Sequence, residues 1–199
     1  FRTIQKILDN TDSFGNDNEL CDEFAIRAAK IYCDEVDKYT NPRGGAFQAG
    51  IYPVSANVLF GKDVGALPDG RLAHAPLADG VSPRQGKDTN GPTAAANSVA
   101  KLPHGQASNG TLYNQKFSPQ AVSGEKGLKN FVSIVRSYFD HKGAHVQFNV
   151  VDRNTLIEAQ KNPQDHKDLL VRVAGYSAHF VTLAKEVQDD IINRTEHTM

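Results

Sequence analysis

No apolar run in this sequence approaches the ~18 residues that a membrane-spanning helix requires, so no membrane span is expected. There is also no basic block and no interleaving of basic with aromatic residues. The charges nearly cancel, with 22 basic against 23 acidic side chains and a formal net charge of −1. That balance excludes the electrostatic footprint of a nucleic-acid binder. No signal-peptide pattern opens the chain, and internal repeats and low-complexity tracts are lacking. Cysteine is scarce: Cys21 and Cys33 are the two present. They fall in one helical pattern, about 18 Å apart along its axis, which is too far for a disulfide. They are expected to be small, buried or half-buried thiols in a reducing compartment. The histidines have no metal-ligand spacing, and no metal site is expected.

What is present suits one globular unit with a core: 199 residues, 39% hydrophobic and 23% charged. The chain begins at Phe1 inside a helical pattern, so a fragment of a longer protein is the expectation. Residues 1–8 read as a helix end and 9–18 as a loop. A helix is expected over about 19–39, with Leu20, Phe24, Ala28, Ile31 and Val36 on one face and Asp34, Glu35 and Asp37 on the solvated side. Asn41-Pro42-Arg43-Gly44-Gly45 stops it. Residues 46–60 read as an extended strand with a bend or bulge near Pro53, carrying Gln48, Tyr52, Ser55 and Asn57 as polar groups. A long glycine- and proline-rich loop over 61–91 follows, of the kind that is often functional. Helices are expected over 91–101, 126–142 (stopped by Gly143) and from Asp152 or Asn154 to 161. Strands are expected over 108–117, 145–150 and 169–173. The chain closes with a glycine turn at Gly175 and a helix over 184–194. This alternation is the signature of an α/β architecture.

The most specific stretch is Arg172-Val173-Ala174-Gly175-Tyr176-Ser177-Ala178, followed by Phe180, Leu183, Gln188, Ile191, Ile192, Arg194 and Thr195. A lone glycine in such a place is a turn. The whole string, however, resembles the C-terminal signature of the glycyl radical enzymes. Further stretches resemble the same family: 41–45, 51–58, 65–71, 79–83, 90–95, 109–117 and 145–150. The wording of 91–102, 136–140 and 194–197 is most similar to the coenzyme-B12-independent glycerol and propane-1,2-diol dehydratases. 4-Hydroxyproline dehydratases and choline lyases share many of these words.

The resemblance implies the C-terminal portion of a ten-stranded α/β barrel of the pyruvate formate-lyase-like type. Residues 1–119 would belong to the barrel and 120–199 to a glycyl radical domain. It implies that Gly175 stores an unpaired electron on its α-carbon, where planarity and the flanking amides stabilise it and a side chain would crowd it. A radical S-adenosylmethionine/iron-sulfur activating enzyme would install that radical, and no cofactor would be bound by the chain itself. The family's second loop, a Gly-Cys-apolar-Glu motif, is absent here, since Cys21 sits in Leu-Cys-Asp and Cys33 in Tyr-Cys-Asp. The thiyl cysteine and most substrate groups are therefore expected elsewhere in the enzyme. Tyr52, with Val54 on the same strand face, is the candidate for substrate contact. Arg172, Tyr176 and Ser177 are candidates for supporting the radical loop. His145 and His179 read as structural. The implied reaction converts a small diol to an aldehyde and water, in a cytoplasmic, anaerobic homodimer with microcompartment packaging left open. Another glycyl radical lyase, or a free-standing repair subunit, are the alternatives.

Overall fold

The computed structural model describes residues 2–198. Its helices are α1 (Arg2–Asp9), α2 (Glu19–Val36), α3 (Ala56–Asp63), α4 (Pro92–Ala100), α5 (Gly124–Asp140), α6 (Arg153–Lys161) and α7 (Lys185–Asn193). Its strands are β1 (Gly50–Ile51), β2 (Gly110–Thr111), β3 (Asn114–Phe117), β4 (Gln147–Val150), β5 (Leu170–Arg172), β6 (Ser177–His179) and β7 (Glu196–His197). The architecture is mixed α/β. Among the described residues, no helix is long and apolar enough to cross a membrane.

The strands form three small sheets. β3 lies between β4 and β7 and is parallel to both. β1 pairs in parallel with β2, and β5 pairs antiparallel with β6. Parallel pairs need long crossovers, and α5 supplies the one between β3 and β4. Its inner face buries Ile134 and Tyr138 against Val99 of α4 and Tyr113 and Phe117 around β3. Rings of Phe117, Phe131 and Phe148 meet edge-on or tilted beneath the sheet. A second core joins Leu156 of α6, Val171, Val173 and Phe180 around the β5–β6 hairpin, and Ile191 and Ile192 of α7.

Helices α4, α5, α6 and α7 fall where periodicity and stop signals put them. Asp152 caps α6 by accepting from Thr155 N at 2.8 Å. The end of α5 is organised differently from the expectation. Lys142, not Gly143, takes the left-handed turn, with φ of 70°. Gly143 is required for another reason: a Cβ there would lie 2.2 Å from the Tyr138 ring.

Three further expectations are corrected. The stretch 46–60 is not a strand. Apart from an isolated bridge between Ala46 and Thr40, pairing is limited to Gly50–Ile51; Val54 turns left-handed at φ 58°, and α3 begins at Ala56. The expected strand over 108–117 is interrupted between β2 and β3, which join different sheets. The apolar face of α2 points outward. Leu20, Phe24 and Ile31 are exposed, while Asp22 and Cys33 are buried. Asp22 is drawn inward by Lys101, whose Nζ lies 2.6 Å from its Oδ2 at the end of α4. Both cysteines are free thiols.

Candidate functional site

Gly175 sits at the tip of the β5–β6 hairpin rather than in a strand-to-helix turn. β5 runs up to Arg172, β6 returns from Ser177, and Val173 N donates to Tyr176 O at 2.9 Å across the tip. The turn places Gly175 at φ 83°, a region that costs other residues roughly 1–2 kcal/mol. A Cβ at this position would meet nothing closer than Leu112 Cδ1 at 3.5 Å. The backbone conformation therefore favours glycine here, while the space around it would admit a methyl group. The tip is exposed in this chain, as are Tyr176 and Ser177. Arg172 spans the strand pair next to the tip, donating from Nη1 to Ser177 Oγ at 3.2 Å. Arg172, Gly175, Tyr176 and Ser177 are thus brought together in one hairpin.

The hairpin is held mainly by side chains of the neighbouring sheet. β4 alternates polar and apolar residues, and its polar side is the buried one: Gln147 and Asn149 are each 6% exposed. Gln147 Oε1 accepts from Gly175 N at 3.0 Å. Asn149 both accepts from Arg172 N and donates to Arg172 O, each at 2.8 Å. Gln147 Nε2 in turn donates to Asn114 Oδ1 and, more weakly at 3.5 Å, to Val173 O. Asn114 is the register partner of Gln147 across the parallel pair, and its Nδ2 donates to Asp79 Oδ2.

This chain of amides ends on a buried charge cluster. Arg194, just beyond α7, donates to Val173 O at 2.8 Å and to Asp190 at 3.0 Å, and its Nε pairs with Asp79 at 3.5 Å. Burial raises the Asp79 pKa to about 6; the Arg194 charge opposes the shift and Asp190 adds to it. Burial disfavours the Arg194 charge, but Asp79 and Asp190 outweigh it and leave its pKa raised. Gln85 completes the cluster through Asp190 Oδ1 at 2.7 Å. Nearby, the buried Lys116 points at the carbonyl end of α7, donating to Ile192 O at 3.0 Å. Burial lowers its pKa to about 8, with Glu196 opposing.

The other expected site residues lie elsewhere. Tyr52, 41% exposed, follows β1 and donates its hydroxyl to Asn109 Oδ1 at 2.7 Å. It lines an open cleft of about 510 Å³ with Tyr32, Ile51, Pro53 and Ala78. Val54 shares neither a strand with Tyr52 nor that cleft, because the left-handed turn beyond Pro53 carries it away. None of the hairpin residues lines the cleft. His145 accepts from Tyr113 N at 3.4 Å, and burial, then Arg172, lowers its pKa, consistent with a structural role. Among the described residues, no group of His, Cys, Asp or Glu is arranged to hold a metal.

Sequence reasoning did not single out Gln147, Asn149, Asn114 or Asp79. The available signal was the strict alternation of 145–150, which marks a strand without saying which side faces in.

Comparison with known proteins converges on the same segment. Residues 77–181 match the family model described as glycine radical, and residues 1–61 match the one described as pyruvate formate lyase-like. The glycerol-bound B12-independent glycerol dehydratase from Clostridium butyricum superposes with a TM-score of 0.97 at 60% identity, over 100% of this chain and 25% of that one. A structure describing 1,2-propanediol dehydration in Roseburia inulinivorans gives 0.96 at 56% identity, over 98% of this chain and 23% of that one. The trans-4-hydroxy-L-proline dehydratase of Clostridioides difficile is 47% identical over 100% of this chain and 25% of its own length. The chain therefore spans about a quarter of the length of these relatives.

Proposed function

Because this chain belongs to the glycyl radical enzyme family, we propose that it is the C-terminal part of an enzyme that dehydrates a small diol, with Gly175 as its radical store. The observation that carries the diol reading is the identity gradient along the whole chain. It stands at 60% to the glycerol dehydratase and 56% to the propanediol-dehydrating protein, against 47% to the hydroxyproline dehydratase. The exposed apolar face of α2 supports a larger protein in which other segments cover Leu20, Phe24 and Ile31.

In this reading, a radical S-adenosylmethionine activating enzyme reaches the exposed hairpin tip and removes a hydrogen from Gly175. A cysteine outside this chain passes its thiol hydrogen to Gly175 and becomes a thiyl radical. The thiyl takes a hydrogen atom from C1 of the diol while the C1 hydroxyl gives up its proton to a base. The C2 hydroxyl, protonated by a general acid, leaves as water. Hydrogen returned to C2 yields the aldehyde, so the diol loses one water and nothing else. Residues 120–199 form the glycine-bearing part, linked through β3 to the barrel portion in 1–119. Arg172, Tyr176 and Ser177 add support within the hairpin that Gln147, Asn149 and Arg194 hold from outside. Tyr52 contacts substrate, and since its proton is engaged by Asn109, its free lone pairs accept from a substrate hydroxyl. The protein works as a cytoplasmic, oxygen-free homodimer.

The test is anaerobic activation of the full-length protein that carries this chain, followed by aldehyde assay on glycerol and propane-1,2-diol, with trans-4-hydroxy-L-proline and choline as controls. Aldehyde from either diol is expected. A radical signal without diol turnover, but with turnover of a control, assigns the protein to another lyase of the family.

A further inference from the structure

Resting on that reading of Gly175, we propose that Gln147 is the positioning residue of the radical glycine. Its Oε1 fixes the plane of the Gly175 amide, and its own orientation is dictated by a chain running through the half-buried Asn114 to the buried Asp79 and Arg194.

The argument begins with the electronic demand of the site. A radical on a glycine α-carbon is shared with the amide nitrogen on one side and the carbonyl on the other. That sharing requires the flanking peptide planes to become coplanar with the α-carbon, starting from a φ of 83° before activation, so one plane must be held while the other turns. The Gly175 N–H is one end of that system, and the bond at 3.0 Å to Gln147 holds it. An acceptor on this N–H also increases electron donation from nitrogen into the radical centre. Neither effect needs a charged group at the glycine itself.

A glutamine amide serves only in one orientation, because one end accepts and the other donates. Flipped, Gln147 would set its NH2 against the Gly175 N–H. The surroundings forbid the flip. Gln147 Nε2 is aimed at two acceptors, Asn114 Oδ1 and Val173 O. Asn114 is fixed in turn because its NH2 faces Asp79 Oδ2. Asp79 is fully buried beside Arg194, which also grips Asp190 and Val173 O. The direction of every bond in the relay therefore follows from one buried carboxylate and its guanidinium partner. The relay spans distant segments: 35 residues separate Asp79 from Asn114, 33 separate Asn114 from Gln147 and 28 separate Gln147 from Gly175. A side chain kept only to fill space between β4 and the hairpin would need none of this order.

The experiment has two arms on the full-length protein. In the unactivated state, hydrogen exchange is read at the Gly175 amide in wild type, Gln147→Leu and Gln147→Glu. Leucine fills the volume without an acceptor, and about tenfold faster exchange is expected. Protonated glutamate keeps an oxygen for the amide and an O–H for Asn114 Oδ1, so protection within about threefold of wild type is expected at low pH and is lost on ionisation, which sets oxygen against oxygen. After anaerobic activation, the nitrogen and amide-proton hyperfine couplings of the radical are read by electron paramagnetic resonance, with Gly175→Ala as a control. A shifted coupling and a roughly tenfold shorter lifetime are expected for Gln147→Leu, with restoration in Gln147→Glu at the low pH that keeps its carboxyl protonated. Wild-type exchange in Gln147→Leu, or altered exchange with an unaltered spectrum and lifetime, overturns the positioning role while leaving Gly175 in place. A radical signal that survives in Gly175→Ala overturns the assignment of the radical itself, and the role of Gln147 with it.

Discussion

Asn149 and Arg172 exchange two hydrogen bonds through one side-chain amide, with both bonds at 2.8 Å and the whole backbone valence of Arg172 satisfied. A side chain of β4 thus takes the place of a strand neighbour, since β5 pairs only with β6. Replacing Asn149 by leucine leaves a half-buried N–H and C=O without partners. A local loss of about 2–4 kcal/mol is expected. Limited proteolysis should show cleavage within 172–178 appearing in Asn149→Leu at protease concentrations that leave wild type intact.

Gly175→Ala is expected to fold. The methyl group has room, with its nearest neighbour at 3.5 Å, and the left-handed φ costs about 1–2 kcal/mol. The variant should hold no radical. Brief oxygen exposure after activation should cut wild type at Gly175 and release a C-terminal peptide that begins after it, while the variant stays intact. Mass spectrometry of both samples checks this, and an uncut wild type with a confirmed radical would exclude Gly175.

Arg194→Met strands Asp79 and Asp190 in the interior without their cation. Loss of one partner of a buried pair typically costs about 3–5 kcal/mol. The deficit should depend on pH. Asp79 already has its pKa raised to about 6 with Arg194 present, and removal of that charge raises it further. The folded state then binds a proton that the unfolded chain releases above ~4, so stability falls as pH rises through the folded pKa. Denaturant melts at pH 5.5 and pH 8 should show the larger deficit at pH 8; an equal deficit would count against the Asp79–Arg194 coupling.

Lys116 predicts the opposite slope in alkali. Its folded pKa is lowered to about 8 by burial, below the ~10.4 of an exposed lysine. Between those values the unfolded chain binds more protons than the folded one, so the contribution of Lys116 to stability grows with pH. The stability of wild type measured relative to Lys116→Met should rise from pH 8 to pH 10. A flat difference would mean that Lys116 titrates normally.

Tyr52→Phe keeps the ring and loses the hydroxyl that meets Asn109. At a partly exposed position the loss of stability should be under about 1 kcal/mol. If Tyr52 contacts substrate, kcat/KM for the diol should fall about threefold to tenfold. Steady-state kinetics on the activated protein decides it, and unchanged kcat/KM would leave Tyr52 as a partner of Asn109 alone.

Much of this organisation was legible in the sequence. The apolar spacing of Leu128, Phe131, Val135 and Phe139 located α5, and Pro163 marked the end of α6. Gly175 stood out through the words around it. Residues 46–60 misled because small and apolar side chains there suggest extended backbone, whereas Val54 reverses the chain and Asn57 buries itself in α3. α2 misled because its apolar face is read as core, yet in this chain it faces outward. Gln147, Asn149 and Arg194 escaped notice for a different reason. Their partners are backbone atoms from 21 to 28 residues away, and spacing along the chain carries no record of a bond to a peptide group.

Those grips close on main-chain atoms: the nitrogen of Gly175, both polar atoms of Arg172 and the carbonyl of Val173. Every residue type except proline offers the same atoms. In a library randomised at single positions, the hairpin's exposed side chains at 176 and 177 should therefore tolerate more exchange than Gln147, Asn149 and Arg194, which never occupy the tip. The information that sets the hairpin in place is stored in the cradle, and the loop carrying the glycine is its passenger.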